Sequence, residues 1–527
     1  MRNRIGLLSL TILLGAAGAR AQCNCVSSEG PAESKPVHPG ALTFDSSDAK
    51  LVQSFNWAKK QALAYVQSGN DPVGLWYETG LPGRFRFSMR DTSHQAMGAQ
   101  ALGLAPYTHN MLRHFAENIS ASKDWCSYWG IDLWGRPATV DYYDDSQFWY
   151  DLPANFDVLD ASFRMFVWTG DMTYINDPVF LNFYEHTVTD YVNHWQLGAD
   201  VVMHRPMMNI PAEIPPNTAW PTSRGIPGYQ ENPRDYVVGI DLLAAEYEAL
   251  LDYAFIEEYK DHPDVAKTYR DKAAALHDLI NGQWWDSSNN RFFSILDKTY
   301  QFKPSNSPLD DINVELIYRG AAEDGPKLQG AVQTLLANIK AHPDGKVEGE
   351  SHFPEVLYRY GQPDAAYTEI MDLTRTDKYR REYPEVSYSV VGAIVTGLMG
   401  INLDYQPMPL ARSSSGYTEV IYETLPSLTK ETAWAEVRNL PARTNVIGVR
   451  HDGNRKTAFT NQSGPSVIWQ ATFFGAHDTL LVDGKPMKAQ AGKETLGRVT
   501  SWVKIPVGAG DTVVVEVPPA PKPVAAH

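Results

Sequence analysis

The sequence predicts a mainly α-helical protein in which six helical hairpins form an (α/α)6 toroid, followed by a small C-terminal antiparallel β-sandwich. Between Ser47 and Gly400, a helix-like stretch with one apolar face alternates six times with a stretch that is apolar or small all round. A helix with one apolar stripe lies at a surface, whereas a helix that is apolar on every side is enclosed. The alternation therefore predicts an outer and an inner ring of helices whose ends converge on one cavity. After Gly400 the pattern changes to short strand-like runs.

The helical stretches are predicted in outer and inner pairs: 47–68 with 91–104, 108–121 with 153–169, 177–197 with 234–260, 265–282 with 309–319, 325–341 with 350–360, and 363–374 with 384–401. The loops that lead into inner helices are long, and those that lead out are short. Long loops inside a compact domain are usually functional. The functional face is therefore predicted at the N-terminal ends of the inner helices.

The strand-like runs after the toroid are bounded by turn residues, and two Asp-Gly dipeptides, at 452–453 and 483–484, are typical of tight hairpins. Together they predict a β-sandwich of about a hundred residues. The runs are Thr432–Val437, Asn445–Val449, Ala458–Asn461, Ser466–Phe474, Thr479–Val482, Val499–Val507 and Thr512–Val517.

The N-terminus has the pattern of a secretory signal peptide. Arg2 and Arg4 precede an apolar run that is too short to span a bilayer, and small residues follow it. We therefore expect a protein without membrane insertion that is secreted or periplasmic. The predicted organisation is a signal peptide at 1–21, a flexible leader at 22–42, the barrel at 43–405, a linker at 406–418, the β-sandwich at 419–518 and a disordered tail at 519–527.

Composition limits the classes of partner. A chain of 527 residues with 43% hydrophobic residues can bury a large core, and its net charge of −16 argues against nucleic acid as a partner. The three cysteines, Cys23, Cys25 and Cys126, cannot all pair within one chain, and their pairing stays open. The Cys-x-Cys pair lacks further zinc ligands nearby, so no metal and no cofactor are predicted.

The loops that face the predicted cavity are rich in carboxylates, arginines and aromatic residues. Flat aromatic faces stack on the apolar C–H groups of sugar rings, and charged side chains form strong hydrogen bonds with hydroxyls. This composition indicates a carbohydrate substrate, and hydrolysis of a glycosidic bond would require two carboxyl groups flanking that bond. The candidate substrate-binding residues on these loops are Tyr77, Trp149, Tyr150, Trp220, Arg234, Glu350, His352 and Glu355.

Two motifs at the starts of inner helices carry a family resemblance. Residues 87–95, Phe-Ser-Met-Arg-Asp-Thr-Ser-His-Gln, enter a Gly/Ala-rich helix, and residues 383–388, Tyr-Pro-Glu-Val-Ser-Tyr, open the last inner helix. A third segment, 269–293, contains Trp284-Trp285 and Asn290-Arg291-Phe292-Phe293. With the β-sandwich that follows, the chain resembles the six-hairpin glycosidases, the (α/α)6-barrel superfamily that includes glucoamylase- and trehalase-like enzymes. The resemblance covers about residues 47–405 in layout and assigns no single family.

The resemblance implies a glycoside hydrolase that acts on oligo- or polysaccharide ends, with inversion of configuration. Arg90 and Asp91 match the pair that holds the sugar in the cleaved subsite. The position of the general acid points to Glu213. The position of the general base points to Glu385, with Glu382 as a neighbouring alternative. Further alternatives for either catalytic residue are Glu350 and Glu355. Inversion implies that the two carboxyl groups lie ~6.5–9.5 Å apart.

Other interpretations stay open. Asp91 and Glu385 are also explained as N-terminal helix residues favoured by the helix dipole. A polysaccharide lyase of the α/α-toroid type is a second function, because arginines such as Arg84 and Arg86 could neutralise the carboxylate of a uronate. A non-catalytic glycan-binding protein on the same scaffold is a third, because fold alone does not establish activity.

Overall fold

The computed structural model describes residues 38–211, 223–229, 236–304, 311–343, 345–405, 420–492 and 494–519. The predicted signal peptide at 1–21 and linker at 406–418 lie outside these residues, as do most of the leader and of the C-terminal tail. Among the described helices, none is both long enough and apolar enough to cross a membrane. Cys126 is fully buried, whereas Cys23 and Cys25 lie outside the described ranges.

The helices follow the predicted alternation. In chain order they are α1 (Ala49–Ala64), α2 (Met89–Ala101), α3 (Ala105–Glu117), α4 (Pro153–Thr169), α5 (Thr173–Asn176), α6 (Pro178–His186), α7 (Val192–Trp195), α8 (Ile240–Tyr259), α9 (Pro263–Gln283), α10 (Asp311–Tyr318), α11 (Pro326–Ala341), α12 (Val347–Glu350), α13 (Phe353–Arg359), α14 (Pro363–Thr374) and α15 (Pro384–Gly392). π-Helical turns at Thr187–Tyr191 and Ala393–Leu398 continue α6 and α15.

The inner ring consists of α2, α4, α8, α10, α13 and α15. Each of these helices contacts the next one around the ring, and α15 contacts α2, so that the ring closes. The outer ring consists of α1, α3, α6, α9, α11 and α14. The predicted (α/α)6 toroid is therefore confirmed.

Burial explains which helices are inner and which are outer. Outer helix α1 buries one stripe, with Leu51, Phe55, Ala58 and Ala62 inside, whereas nearly every residue of inner helix α2 is buried. At the contact of α2 with α15, a Cβ atom on Gly98 would lie 2.1 Å from the carbonyl oxygen of Tyr388. Any side chain at position 98 would force the two backbones apart. The small residues that the sequence places on α2 therefore allow the inner helices to pack closely.

Short strands lie before α1 and within the loops of the barrel. Most of the loop strands lie in the long loops that enter inner helices, so these loops are partly ordered by small sheets. The strands are β1 (Thr43–Ser46), β2 (Arg86–Ser88), β3 (Gly130–Asp132), β4 (Tyr142–Asp144), β5 (Gln147–Phe148), β6 (Tyr150–Asp151), β7 (Ile210–Pro211), β8 (Ser223–Ile226), β9 (Tyr236–Gly239), β10 (Trp285–Asp286), β11 (Arg291–Phe292), β12 (Ile295–Asp297) and β13 (Phe302–Lys303).

The C-terminal strands form two sheets, ordered β1-β16-β17-β18-β24-β20-β21 and β14-β15-β19-β23-β22. Of their described pairs, only β15 with β19 is parallel. The sheets pack face to face, and the rings of Phe459 and Trp469 stack across the interface with centroids 5.2 Å apart. The strands are β14 (Ile401–Tyr405), β15 (Val420–Thr424), β16 (Trp434–Ala442), β17 (Asn445–Asp452), β18 (Lys456–Ser463), β19 (Val467–Phe474), β20 (Thr479–Val482), β21 (Lys485–Lys488), β22 (Gln490–Ala491), β23 (Thr500–Val507) and β24 (Thr512–Glu516).

The predicted β-sandwich is thus confirmed, and its hairpin signal at 483–484 has a clear physical basis. Asp483 and Gly484 connect β20 to β21, and both have positive φ, 48° and 75°. A two-residue turn of this kind matches the twist of the strands that it joins, and it favours Asp and Gly.

Two strands join the sandwich from segments that the sequence-based boundaries assign to the barrel. β1 pairs with β16, and β14 pairs with β15. Strands of four or five residues carry little periodic signal, so their partners are decided by packing in the folded chain. The sandwich is also joined to the barrel by Arg443, whose guanidinium donates to the carbonyl oxygen of Val167 at 2.9 Å.

Candidate active site

A cavity of about 200 Å³ opens where the long loops meet the N-terminal ends of inner helices α2 and α15. This is the end of the toroid at which the sequence predicts the functional face. Its lining combines four arginines, four carboxylates and three aromatic residues with small or apolar ones: Arg84, Arg86, Arg90, Arg380, Asp91, Asp141, Glu348, Glu385, Trp129, Trp149, Tyr383, Gly80, Leu81 and Ser88.

The first wall is built where β2 runs into α2. β2 pairs with β3, and the N–H of Met89 donates to the carbonyl oxygen of Trp129 at 3.0 Å. This hydrogen bond fixes the first turn of α2. At the start of β2, Arg86 forms an ion pair with Asp141. Gly130 leaves room for this pair, since a Cβ atom there would lie 3.1 Å from the Asp141 carboxylate.

Arg90 is held in place by rings and by a buried acid. Its guanidinium lies over the rings of Tyr229 and Trp129, 5.1 and 5.7 Å from their centroids. It also lies 3.7 Å from the carboxylate of Asp151, which is fully buried. Burial raises the pKa of Asp151 well above its ordinary value, with a further contribution from Asp157, despite the charge of Arg90. The arginine is thus held rigidly at the mouth of α2.

Asp91 and Glu385 form the acidic centre of the cavity. They lie in the first turns of α2 and α15, neighbours in the inner ring, and their side chains interact by hydrogen bonding. Both are buried, with 7% and 4% of their surface exposed. Burial, followed by the charge of Asp91, raises the pKa of Glu385 well above its ordinary value. Burial alone would raise the pKa of Asp91, but the hydrogen bond from Glu385 and the charge of Arg90 lower it. The pair therefore holds its shared proton mainly on Glu385.

The rest of the lining combines a second ion pair with aromatic rings. Glu348, on the short helix α12, pairs with Arg380. Arg380 has a positive φ of 60°, and its guanidinium lies over the ring of Tyr383 at 5.1 Å. Trp129 and Trp149 meet edge to face, with centroids 4.4 Å apart. The cavity therefore offers both aromatic surface and directional charged groups, as a sugar-binding pocket requires.

Four of the residues predicted from the sequence line this cavity together: Arg90, Asp91, Trp149 and Glu385. Tyr77 and Tyr150 are fully buried and lie away from the lining. Tyr77 hydrogen-bonds to Thr108 at 3.1 Å and packs against Tyr388. The hydroxyl of Tyr150 hydrogen-bonds to Asn155 in the core. In the structure both tyrosines are core residues.

Glu350, His352 and Glu355 also lie away from the lining, because the chain runs inward along the barrel after Glu348. Glu350 is paired with Lys378. His352 stacks on His94, with ring centroids 3.6 Å apart, and burial lowers its pKa well below the ordinary value. Glu355 pairs with Arg359 at 3.0 Å, and it lines a separate cavity. An α-helix advances about 1.5 Å per residue, so a few positions separate the rim of the barrel from its interior.

Glu213, Trp220 and Arg234 lie outside the described residues, so their positions relative to the cavity stay predictions. The lining also contains residues that sequence reasoning left out of its candidates, above all Asp141, Glu348 and Arg380. The arginine–carboxylate pairs that hold them form between distant loops, and no local pattern marks them. Among the described residues, no group of three or more His, Cys, Asp or Glu side chains is arranged to hold a metal ion.

Comparison with known proteins finds similar folds among solved structures. No protein-family model matches the sequence, and no curated protein matches it significantly. Solved structures do match, and they share the architecture described above without assigning the chain to a family.

Two rhamnosidases illustrate the likeness. A GH78 family rhamnosidase of Bacillus sp. GL1 is 14% identical with a TM-score of 0.53, over 79% of this chain and 40% of its own. An α-L-rhamnosidase from Dictyoglumus thermophilum is 14% identical with a TM-score of 0.55, over 90% of this chain and 50% of its own. A sialidase is 9% identical with a TM-score of 0.50, over 87% of this chain and 41% of its own. This chain thus spans 40–50% of the length of the rhamnosidases. At such low identity the likeness establishes the fold alone.

Proposed function

We propose that this protein is a secreted glycoside hydrolase that cleaves sugars from the ends of oligo- or polysaccharides with inversion of configuration. The observation that carries the proposal is the buried Asp91–Glu385 pair at the base of a cavity lined by arginines and tryptophans. The fold that the chain shares with rhamnosidases supports the same class of reaction. Secretion rests on the signal-peptide pattern of residues 1–21.

The geometry suits proton transfer at Glu385. Glu348 and Asp141 are each held in an ion pair with an arginine, whereas Glu385 forms no ion pair with a described lysine or arginine. Its neighbour Asp91 opposes a second negative charge, so an ionised Glu385 has a high affinity for a proton. In the proposed reaction the ionised form of Glu385 takes a proton from the attacking water, and Glu213 donates one to the leaving oxygen.

The remaining lining residues orient the substrate in this proposal. Trp129 and Trp149 provide ring faces for stacking, and Arg90 is held where it can donate hydrogen bonds to sugar hydroxyls. A pocket set into one end of a toroid accommodates a chain end better than the middle of a polymer, which supports action on ends.

A product screen tests the function directly. The full chain is incubated with plant and microbial oligosaccharides, and we expect release of reducing sugar from at least one of them without ultraviolet absorbance of an unsaturated product. An unsaturated product would identify the lyase instead, and retention of a glycan without any release would identify a binding protein.

The pH profile of Asp91→Asn tests the assignment of Glu385 as base. Asn keeps the shape of Asp91 but removes the charge that raises the pKa of Glu385, so the pKa of Glu385 falls in the variant. A base must be ionised, so the acidic limb of kcat/KM is expected to move to lower pH. If Glu385 were the general acid, the alkaline limb would move instead. An unchanged profile would contradict a role for Glu385 in proton transfer.

A further inference from the structure

A second cavity, of about 320 Å³, lies between the barrel and the β-sandwich, and none of its lining residues belongs to the candidate active site. Its barrel side is formed by Arg359 and Tyr360, at the C-terminal end of inner helix α13. The active-site cavity lies at the N-terminal ends of the inner helices. The two cavities therefore open at opposite ends of the toroid. Its volume is within the range of small-ligand pockets.

The sandwich side of this cavity is one face of the five-stranded sheet. Alternate residues of β19 point into it, and Trp502 of β23 lies directly opposite Thr472 in the strand register. Side chains alternate along a strand, so the intervening residues, such as Trp469 and Phe473, pack into the sandwich core. This face turns away from the sandwich core and toward the barrel, and it combines polar groups with aromatic rings. The lining residues of the sheet are Glu423, Leu425, Gln470, Thr472, Phe474, Thr500 and Trp502.

The polar groups of this face are already oriented. The carboxylate of Glu423 accepts hydrogen bonds from Thr472 at 2.8 Å and from Gln470 at 3.1 Å. These bonds fix three side chains in a row beside Trp502. A fixed row of acceptors and donors next to an aromatic ring can bind the hydroxyls of a sugar whose C–H face stacks on the ring.

Arg498 gives the cavity a positive charge. Its guanidinium lies 3.6 Å from the ring centroid of Phe474. It lies directly against the backbone of Gly361, where a Cβ atom would come within 1.3 Å of the guanidinium nitrogen. Within the part of the chain that the structure describes, this guanidinium has no hydrogen bond or ion pair, although Arg359 beside it is paired with Glu355. Partial burial lowers the pKa of Arg498. A partly buried cation without a partner favours an anionic ligand.

We propose that this cavity is a second, non-catalytic carbohydrate-binding site for a sugar residue that carries a carboxylate. Arg498 binds the carboxylate, Trp502 stacks on the ring face, and the row of Glu423, Gln470 and Thr472 binds the hydroxyls. The site would hold an acidic polysaccharide on the enzyme while its chain end is processed at the other end of the toroid. Binding at this cavity does not depend on the catalytic proposal.

Titration calorimetry tests the site, with the full chain carrying Glu385→Gln to prevent turnover. The probes are trigalacturonate and a glucuronate-substituted xylotriose, each compared with its carboxyl-reduced neutral form. We expect at least one acidic probe to bind, and Arg498→Gln to weaken that binding by roughly tenfold or more, because charged hydrogen bonds are strong. Trp502→Ala is expected to weaken it as well, and the neutral form of the probe should bind the parent more weakly.

The controls separate binding from folding. Lys485→Gln changes an exposed lysine of β21, in the other sheet of the sandwich and outside the cavity lining, and should keep the parent affinity. Arg498→Gln and Trp502→Ala, introduced into the chain with Glu385 intact, should keep its melting temperature and its turnover of short substrates. The proposal is overturned if both variants bind the acidic probes as the parent does, if neither probe binds, or if neutral and acidic forms bind equally well. If the full chain releases no reducing sugar in the oligosaccharide screen, the catalytic proposal is contradicted. The binding result at this cavity would still stand.

Discussion

Glu385→Gln is expected to lower kcat by about a thousandfold or more, because proton transfer by a positioned side chain contributes ~10²–10⁴-fold and Gln cannot accept a proton. The melting temperature should be unchanged or higher. A carboxyl group whose pKa is raised in the folded state destabilises the fold at any pH above its unfolded pKa, and Gln removes that cost. Initial rates on the substrate identified by the screen, together with thermal unfolding, measure both effects.

Glu382→Gln is the matched control for this experiment. Glu382 lies three residues before Glu385, and its side chain is 57% exposed beside Arg381. It is also the alternative base that the sequence leaves open, so the two variants distinguish the candidates. We expect Glu382→Gln to retain parent activity. Parent activity in Glu385→Gln together with lost activity in Glu382→Gln would transfer the role to Glu382.

Arg319→Met is expected to cause the largest loss of stability. Arg319 is buried in the barrel and forms ion pairs with four carboxylates, those of Asp157, Asp160, Glu248 and Glu315, at 2.6, 2.7, 3.0 and 3.0 Å. Breaking a buried ion pair by removing one partner costs ~3–5 kcal/mol, because the remaining charge stays buried without compensation. Urea unfolding at neutral pH should show a loss of about that size in the free energy of unfolding.

The loss in the free energy of unfolding caused by Arg319→Met should become smaller as the pH is lowered. Burial, and then the charge of Asp160, already raise the pKa of Glu248 to about 7, and Arg319 opposes this rise. Without the guanidinium, the folded-state pKa of the carboxyl groups rises further above the unfolded value. Such groups destabilise the fold above their unfolded pKa, so the deficit of Arg319→Met should shrink as the pH is lowered. Arg438→Met, at an exposed pair with Glu436, should leave stability nearly unchanged. A deficit that grows on acidification would contradict this account.

Much of the fold could be predicted from the sequence, because the residue pattern within each helix indicates which of its faces are buried. The run 384–401, apolar or small on every side, has to be enclosed, and α15 with its π-helical continuation occupies most of it. The Asp-Gly turn at 483–484 likewise depends only on local backbone conformation. Strands β1 and β14 were not predicted as part of the sandwich, because pairing between distant segments leaves little trace in four or five residues.

The candidate site, like the fold, could be predicted from the sequence only in part. Arg90, Asp91 and Glu385 could be identified from the sequence, because they begin inner helices and all inner helices begin at one end of a toroid. His352 and Glu355 are candidates only by residue type, and the direction in which the chain enters the barrel carries them away from the cavity. Asp141 could not be chosen, since its role depends on a contact with Arg86 from another loop.

The sequence alone therefore determined the alternation of outer and inner helices, the β-sandwich and the end of the toroid at which the cavity opens, since each follows from residues close together in the chain. Only the tertiary structure decided that Asp91 meets Glu385, that Arg319 joins four acids, and that a second cavity forms against the sandwich. Those contacts exist because the ring closes and brings together side chains from distant parts of the chain. Burial strengthens the interactions between their charges, and no local sequence pattern shows which charges will be buried.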